Sequence, residues 1–589
     1  MATRRVFERP WSGFLSVLLC CAGGAGLSAA CGFSDTPAAG AGGQSSTTAA
    51  NGGNGNPTAA NGGNGNPTGV NGGNPTGGDQ GNGGAGPQGG GTPGGGANPG
   101  GGTGSSDGRA TNYEYTGTWP NAPIKNPKPG VGKLMYTKKV IHPTFLAESC
   151  SIADYNGDGK VDVSSGRIWY EGPDFTKQHI FRDGHGVLPS AGAPRDELNT
   201  GVSDDWADYP FDVNKDGAMD IINIAQCDVP EDQAPPVGTP NKQGVVQKRA
   251  TAVWYENPDP KKDPAKVASP DSRWVAHLMH ADVRNEQHGF IDMNGDGLPE
   301  IYGACKGCTP NQTKGYYQGN PAAPNDQWVY HPVSGYFEFP FTGLGWMHGE
   351  GGGDVNGDTR PDLMDRQGIW LQLPGGMWST TACTDYKPGR PAEMNMPAGC
   401  GFVPQPLWDG NTAQNRGGSH MYATDMDLDG VPDIVSADWA HGETLAWYKQ
   451  GADGKFTKYK FMGNAQEKAT YGAYFTEPHS LQVVDMDGDG RPDVVTGKMR
   501  FAHPLAENDP DPNGVPYIYV FKNVAAAGPG GSPITLQPVL VDGAEGKTAG
   551  TPDAGMGVGR QLAVGYINDD AIMDICVGTK VGLAVFYGQ

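Results

Sequence analysis

The sequence predicts an all-β chain: a seven-bladed β-propeller with calcium-binding Asp-x-Asn-x-Asp-Gly-x-x-Asp loops, preceded by a disordered Gly/Asn/Pro-rich tether. Three observations predict it. One acidic motif recurs six times, with a seventh, worn copy. The copies start 58, 80, 62, 71, 60 and 81 residues apart. Short apolar, often β-branched runs follow each copy, and no long helical period is visible.

The N-terminus comes first. Arg4, Arg5 and Arg9 precede a mostly apolar, small-residue segment, so 1–30 reads as an export signal. The stretch around Arg4 and Arg5 resembles a twin-arginine signal, although Glu8 stands where that pattern favours an apolar residue. Ser28-Ala29-Ala30-Cys31 resembles a lipoprotein cleavage box with Cys31 as the lipidated residue; plain cleavage near Ala30 is the alternative. The expected location is therefore outside the cytoplasm: the outer surface, the periplasm or the medium.

Residues 31–112 form the expected tether. Of the 95 glycines, 30 lie in 32–110, which leaves that stretch without the side chains to build a core. An Asn-Gly-Gly-Asn-Gly-Asn-Pro-Thr unit repeats at 51–58 and 61–68, as flexible linkers do. The propeller is expected over 113–589.

Composition excludes several classes. The formal charge of −22 argues against a nucleic-acid partner. No 18-residue apolar run occurs past the N-terminus, so membrane contact is expected only through an N-terminal lipid anchor. Charged residues make up 18%, too few for a long coiled coil.

The motif chemistry is that of a hard cation. Side-chain oxygens at positions 1, 3, 5 and 9, with the carbonyl of position 7, can surround one calcium ion. Loop one (154–162) offers Asp154, Asn156, Asp158, Lys160 and Asp162. Loop two offers Asp212, Asn214, Asp216, Ala218 and Asp220; loop three Asp292, Asn294, Asp296, Leu298 and Glu300. Loop four offers Asp354, Asn356, Asp358, Arg360 and Asp362. Loop five offers Asp425, Asp427, Asp429, Val431 and Asp433; loop six Asp485, Asp487, Asp489, Arg491 and Asp493. About six calcium ions are expected. The worn seventh copy runs from Tyr566 to Asp574 and lacks the first Asp and the Gly. An Asx-rich turn without metal would explain one such loop; six at one spacing favour calcium. An EF-hand is excluded, because position 12 is Ser165, Asn223, Gly303, Asp365, Ser436 and Thr496, never the bidentate Glu, and strand formers flank the loops. The six loops hold 20 acidic residues at ligand positions, so most of the net charge is loop charge.

These repeats resemble the FG-GAP/VCBS family, the calcium-loop propellers that include the integrin α-subunit head. A closer likeness is to bacterial secreted propellers with a Trp-Tyr-Glu-Asn-Pro strand, here at 254–258, and a His-Ser blade, here His479-Ser480 leading to Asp485. Those are in turn similar to the propeller part of aldos-2-ulose dehydratase, a sugar lyase whose cupin domains this chain lacks. The resemblance implies a site on the propeller axis, at the end of the innermost strands away from the loops. Glu148, His288, His348, His420, His479 and Arg560 stand at the matching offsets before the loops, with Asp204 and Asp205 slightly further out. Arg167, Arg366, Lys498, Arg500, His503 and Lys580 stand at those after them, with Trp439 and His441 nearby. His348, His420 and His479 are the expected ligands of one transition metal or the acid/base groups, with Glu148 beside them. Lys498 and Arg500 would hold a hydroxyl-rich or anionic substrate.

Seven cysteines follow Cys31. Cys383–Cys400 and Cys305–Cys308 are candidate disulfides, Cys150–Cys227 would link neighbouring blades, and Cys576 is expected as a buried free thiol. No phosphate loop, nucleophile elbow or dinucleotide fingerprint is present in its required context. The expected function is an exported, surface-anchored calcium-binding propeller that binds an extracellular carbohydrate or protein. The alternative is a metal-assisted sugar lyase or dehydratase-like enzyme with a His-lined axial site. A purely structural surface protein is the third reading.

Overall fold

An apolar run on each side of an acidic motif can pair only if the motif itself turns the chain. The computed structural model shows that arrangement at all seven copies. It describes residues 132–182, 187–189, 201–203, 205–225, 251–280, 283–305, 313–333, 348–365, 368–374, 377–378, 418–452, 454–501, 510–544, 546–547, 550–568, 570 and 572–589. Ser151–Ala153 pairs antiparallel with Asp162–Ser165 across loop one, and Asp205–Phe211 with Asp220–Ala225 across loop two. Arg284–Ile291 pairs with Glu300–Cys305, and Glu350–Gly353 with Asp362–Asp365. Met421–Thr424 pairs with Asp433–Ala437, Leu481–Val484 with Asp493–Gly497, and Leu562–Gly565 with Asp574–Thr579. The expected signal and tether, and the separate unit 34–97, lie outside the described residues.

Third and fourth strands complete the sheets. Among the described residues, five sheets have four antiparallel strands each, the blades of a β-propeller arrangement. A further sheet has seven strands, because Glu350–Gly353 pairs in parallel with Met421–Thr424. Glycine permits that approach: a Cβ on Gly351 would lie 2.0 Å from the Met421 carbonyl oxygen. The strand Tyr136–His142 pairs with Gly582–Gly588, so the beginning of the described chain forms the outer strand of the last sheet.

Burial follows position in the sheet. Second strands such as Asp574–Thr579 and Asp162–Ser165 are buried throughout. The outer strand Tyr136–His142 is partly exposed along its length. Trp169, Trp254 and Trp447 occupy one register position of the third strands and are buried between sheets. Each meets an aromatic ring on the fourth strand: Trp169 stacks on His179 at 4.0 Å, Trp254 on His277 at 4.2 Å, and Trp447 meets Tyr459 at 5.3 Å.

One cysteine expectation is corrected. Cys576 is not a free thiol, and Cys150 does not await Cys227: the two form a disulfide across 426 residues of sequence. The physical reason is closure. Cys150 precedes the first strand of the first sheet, Cys576 lies in the last sheet, and these two sheets share a core. Cys227, Cys308, Cys383 and Cys400 lie outside the described residues, as does the side chain of Cys305. No helix among the described residues is long and apolar enough to cross a membrane.

Candidate functional site

The loops share one hydrogen-bond scheme. The position-1 carboxylate accepts backbone N–H groups from within its own loop. Asp154, for example, accepts from Gly157 at 2.7 Å and from Gly159 at 2.8 Å, and Asp485 does the same with Gly488 and Gly490, at 2.8 Å each. Position 3 accepts from the N–H of position 5, as in Asn156 with Asp158 at 2.9 Å, except in loop five, where Asp427 takes Lys449 instead. Position 5 accepts from that of position 7, as in Asp158 with Lys160 at 2.8 Å. The turn needs left-handed backbone at position 6. Gly159, Gly217, Gly297, Gly430 and Gly490 supply it with φ from +81° to +89°. Loop four forces the same conformation on Thr359, at φ +74°.

Position 9 has a second task. One oxygen of Asp162 accepts the Tyr155 N–H and the other accepts Gly172 N–H from beyond the third strand, each at 2.8 Å. Asp220, Asp362, Asp433, Asp493 and Asp574 repeat this clamp on both sides. Asp574 keeps it although its loop has lost position 1. Glu300 is the variant: one oxygen accepts Met293 N–H, while the other reaches the Asn294 amide. Position 9 is thus a structural clamp of each sheet, a role the motif alone does not announce. Burial pushes these carboxyls up: Asp433, Asp493 and Glu300 to about 8, Asp362 and Asp574 to about 7, and Asp162 and Asp220 well above the carboxylate range.

The donor set fits a hard cation, which would return such carboxyls to their ionised form. Oxygens of Asp425, Asp427 and Asp433 lie within 4.8 Å of one another, as do those of Asp485, Asp487 and Asp489. Loops five and six also hold a cation of their own. Lys449 donates to Asp427 and Asp429, and Lys522 to Asp487 and Asp489. These are the two loops with Asp rather than Asn at position 3. Both lysines follow the third-strand aromatic, where the other sheets carry Glu171, Glu256, Gln318, Leu371 and Tyr587.

The opposite ends of the strands carry different chemistry. His348 precedes Glu350–Gly353, His479 precedes Leu481–Val484, and His441 follows Asp433–Ala437, so all three lie away from the loops. Their rings meet edge to face, with centroids 4.5 Å apart for His348 and His441, 4.6 Å for His441 and His479, and 5.2 Å for His348 and His479. One ring nitrogen from each lies within 4.8 Å of those of the other two, and all three residues are buried. His348 and His441 face each other through Nε2 at 2.7 Å. Glu477 Oε2 lies 3.7 Å from Nδ1 of both His441 and His479. Burial holds the His479 imidazole well below its usual range, with the neighbouring His441, His348, Arg560 and Lys580 adding to the effect.

The sequence-derived residues divide. His348 and His479 enter the cluster. His420 does not: it is buried, hydrogen-bonded to the His288 backbone and held down to about 3, and His441 completes the trio instead. Glu148 accepts from Arg560 and Lys580, joining the first sheet to the last. Lys498 is buried and donates to Thr476 Oγ1 at 2.6 Å, while half-buried Arg500 lies over Phe501. Arg182 pairs with Asp205 at 3.0 Å. Asp204, Arg366 and His503 lie outside the described residues. His441 falls inside the second offset window, so a sequence signal for it exists. Glu477 falls in neither window, and only its place two residues before His479 links it to the cluster.

These loops and strands invite comparison with known repeats. Residues 411–496 match the model of the FG-GAP-like repeat. The FG-GAP-like repeat thus takes in loops five and six, His420, His441, Glu477 and His479. No curated protein sequence matches the chain. Two solved structures align over most of it. The crystal structure of BBS1N in complex with ARL6DN, soaked with lead, is 9% identical, covers 78% of this chain and 97% of that one, and has a TM-score of 0.33. The rhamnogalacturonan lyase YesW is 11% identical, covers 82% and 75%, and also has a TM-score of 0.33. Neither likeness carries an argument at that score.

Proposed function

We propose that the chain is an exported, calcium-stabilised seven-bladed β-propeller that binds an extracellular carbohydrate or protein. The observation that carries the reading is the strand–loop–strand unit found at all seven motif copies, two of them within the FG-GAP-like repeat. The seven-stranded sheet then counts as two blades, of three and four strands, joined by their first strands. The Cys150–Cys576 bond is consistent with export to an oxidising compartment. Calcium would sit among positions 1, 3, 5 and 7 of the six loops, next to the position-9 clamp, and would neutralise carboxylates that otherwise repel. The far face is then left for the ligand. Glycan and protein arrays probed with the purified chain test this. Binding that a calcium chelator abolishes and added calcium restores is the expected result; no binding in either state would sink the proposal.

A second reading is favoured by the His348–His441–His479 cluster: a metal-assisted lyase acting on sugars at the axis. Such a site needs imidazoles within reach of a common point, and three are. His348 and His479 would then help to hold the metal, which would supply a Lewis acid beside the sugar. A screen of sugar substrates for elimination products tests it, and a metal-loaded chain that produces none would reject it.

A further inference from the structure

We propose that His348, His441 and His479 are the ligands of one divalent transition metal, zinc by donor chemistry, and that Glu477 is a positioning residue that orients two of the three rings. The proposal gives the second reading its ligands and rests on the same cluster, but a purely structural metal would satisfy it equally.

The ring orientations suit a cation. His441 turns Nδ1 towards Glu477 and Nε2 towards His348. His479 also turns Nδ1 towards the same carboxylate oxygen. A carboxylate favours N–H on the nitrogen that faces it, and this leaves the other ring nitrogen as a lone pair, the arrangement of metal-bound histidines. A shared proton serves a pair of rings. Three rings converging on one point are served by a cation. Imidazole donors suit zinc, and three protein ligands leave a fourth position open. The present 2.7 Å between Nε2 of His348 and His441 is shorter than the edge of about 3.3 Å that a tetrahedral site requires, so these rings part by roughly half an ångström on binding.

The backbone is built around that carboxylate. Glu477 sits at φ +60°, left-handed for a non-glycine and directly before Pro478. Three bonds hold it there: its N–H donates to the Gly442 carbonyl at 2.9 Å, and its own carbonyl accepts from His479 at 2.8 Å and Met499 at 2.9 Å. The first bond ties the His441 turn to the His479 strand. Gly442 itself is constrained, since a Cβ there would lie 2.4 Å from the Trp439 ring. Strain of this kind persists where the surroundings hold a group in a required place.

The test is metal content and zinc titration of the full chain, with cobalt substitution as an optical probe. The wild-type chain should hold about one zinc beyond its calcium, and cobalt should give tetrahedral d–d bands. H441A should lose the metal, whereas H420A, at the residue the offsets favour, should keep it. E477Q should still bind zinc, about 10–100-fold more weakly. A wild-type chain that takes up neither zinc nor cobalt overturns the proposal, as does H441A binding zinc like wild type. Bound zinc without any sugar elimination would reject the enzyme reading and leave the site standing.

Discussion

Lys522 reaches out of the third strand of its sheet and sets its ammonium on Asp487, in the middle of loop six. Lys449 does the same to Asp427 in loop five. Each extra Asp is matched by an extra Lys, so each of these loops carries the same net charge as one with Asn at position 3.

On the proposed calcium reading, these lysines would compete with the ion for Asp427 and Asp487. K449M together with K522M should destabilise the calcium-free chain and enlarge its thermal stabilisation by calcium. Melting curves with and without calcium check this; an unchanged calcium-induced rise would count against an internal counter-ion.

The position-9 carboxyls set a pH dependence. Their folded pKa values, about 7 to 8 for Asp362, Asp433, Asp493, Asp574 and Glu300, lie above the unfolded range of about 4. Between those limits the folded state binds more protons, so stability falls as pH rises. The calcium-free chain should therefore be more stable at pH 5 than at pH 8, and saturating calcium should flatten the slope. Denaturant unfolding at several pH values decides, and a calcium-free slope of opposite sign would refute the burial argument.

Thr359 carries strain that glycine would relieve. T359G keeps the N–H that donates to Asp354 at 2.8 Å while removing the Cβ. A gain of about 1 kcal/mol is expected from the left-handed backbone, read by chemical unfolding in calcium. A loss would show that the Thr side chain contributes more than its backbone costs.

Glu148 is a clamp between sheets. E148Q leaves Arg560 and Lys580 without their buried carboxylate and should cost about 3–5 kcal/mol. Opening the Cys150–Cys576 bond by substitution should cost about 2–4 kcal/mol. Unfolding free energies measure both, and wild-type stability with altered ligand binding would return Glu148 to the candidate catalytic groups.

The loops were legible because their chemistry is local. Nine consecutive residues contain the acids, the turn glycine and the first residue of the following strand, so the spacing of seven copies implied repeated sheets. The far-end cluster was legible only in part. Counting back from the loops reached His348 and His479, since a strand of fixed length carries the count. It also pointed to His420, whose ring is directed to His288 instead.

What the sequence determined by itself was the strand–loop–strand unit and its repetition, because those depend on residues within one hydrogen-bonded turn. Tertiary structure decided everything that needs two sheets to meet. Closure brought Cys150 to Cys576, and it placed Glu148 between Arg560 and Lys580. Packing between the sheets chose His441 over His420 and held Glu477 against two rings. Such contacts depend on how far one sheet is turned against the next, and no short stretch of sequence encodes that angle.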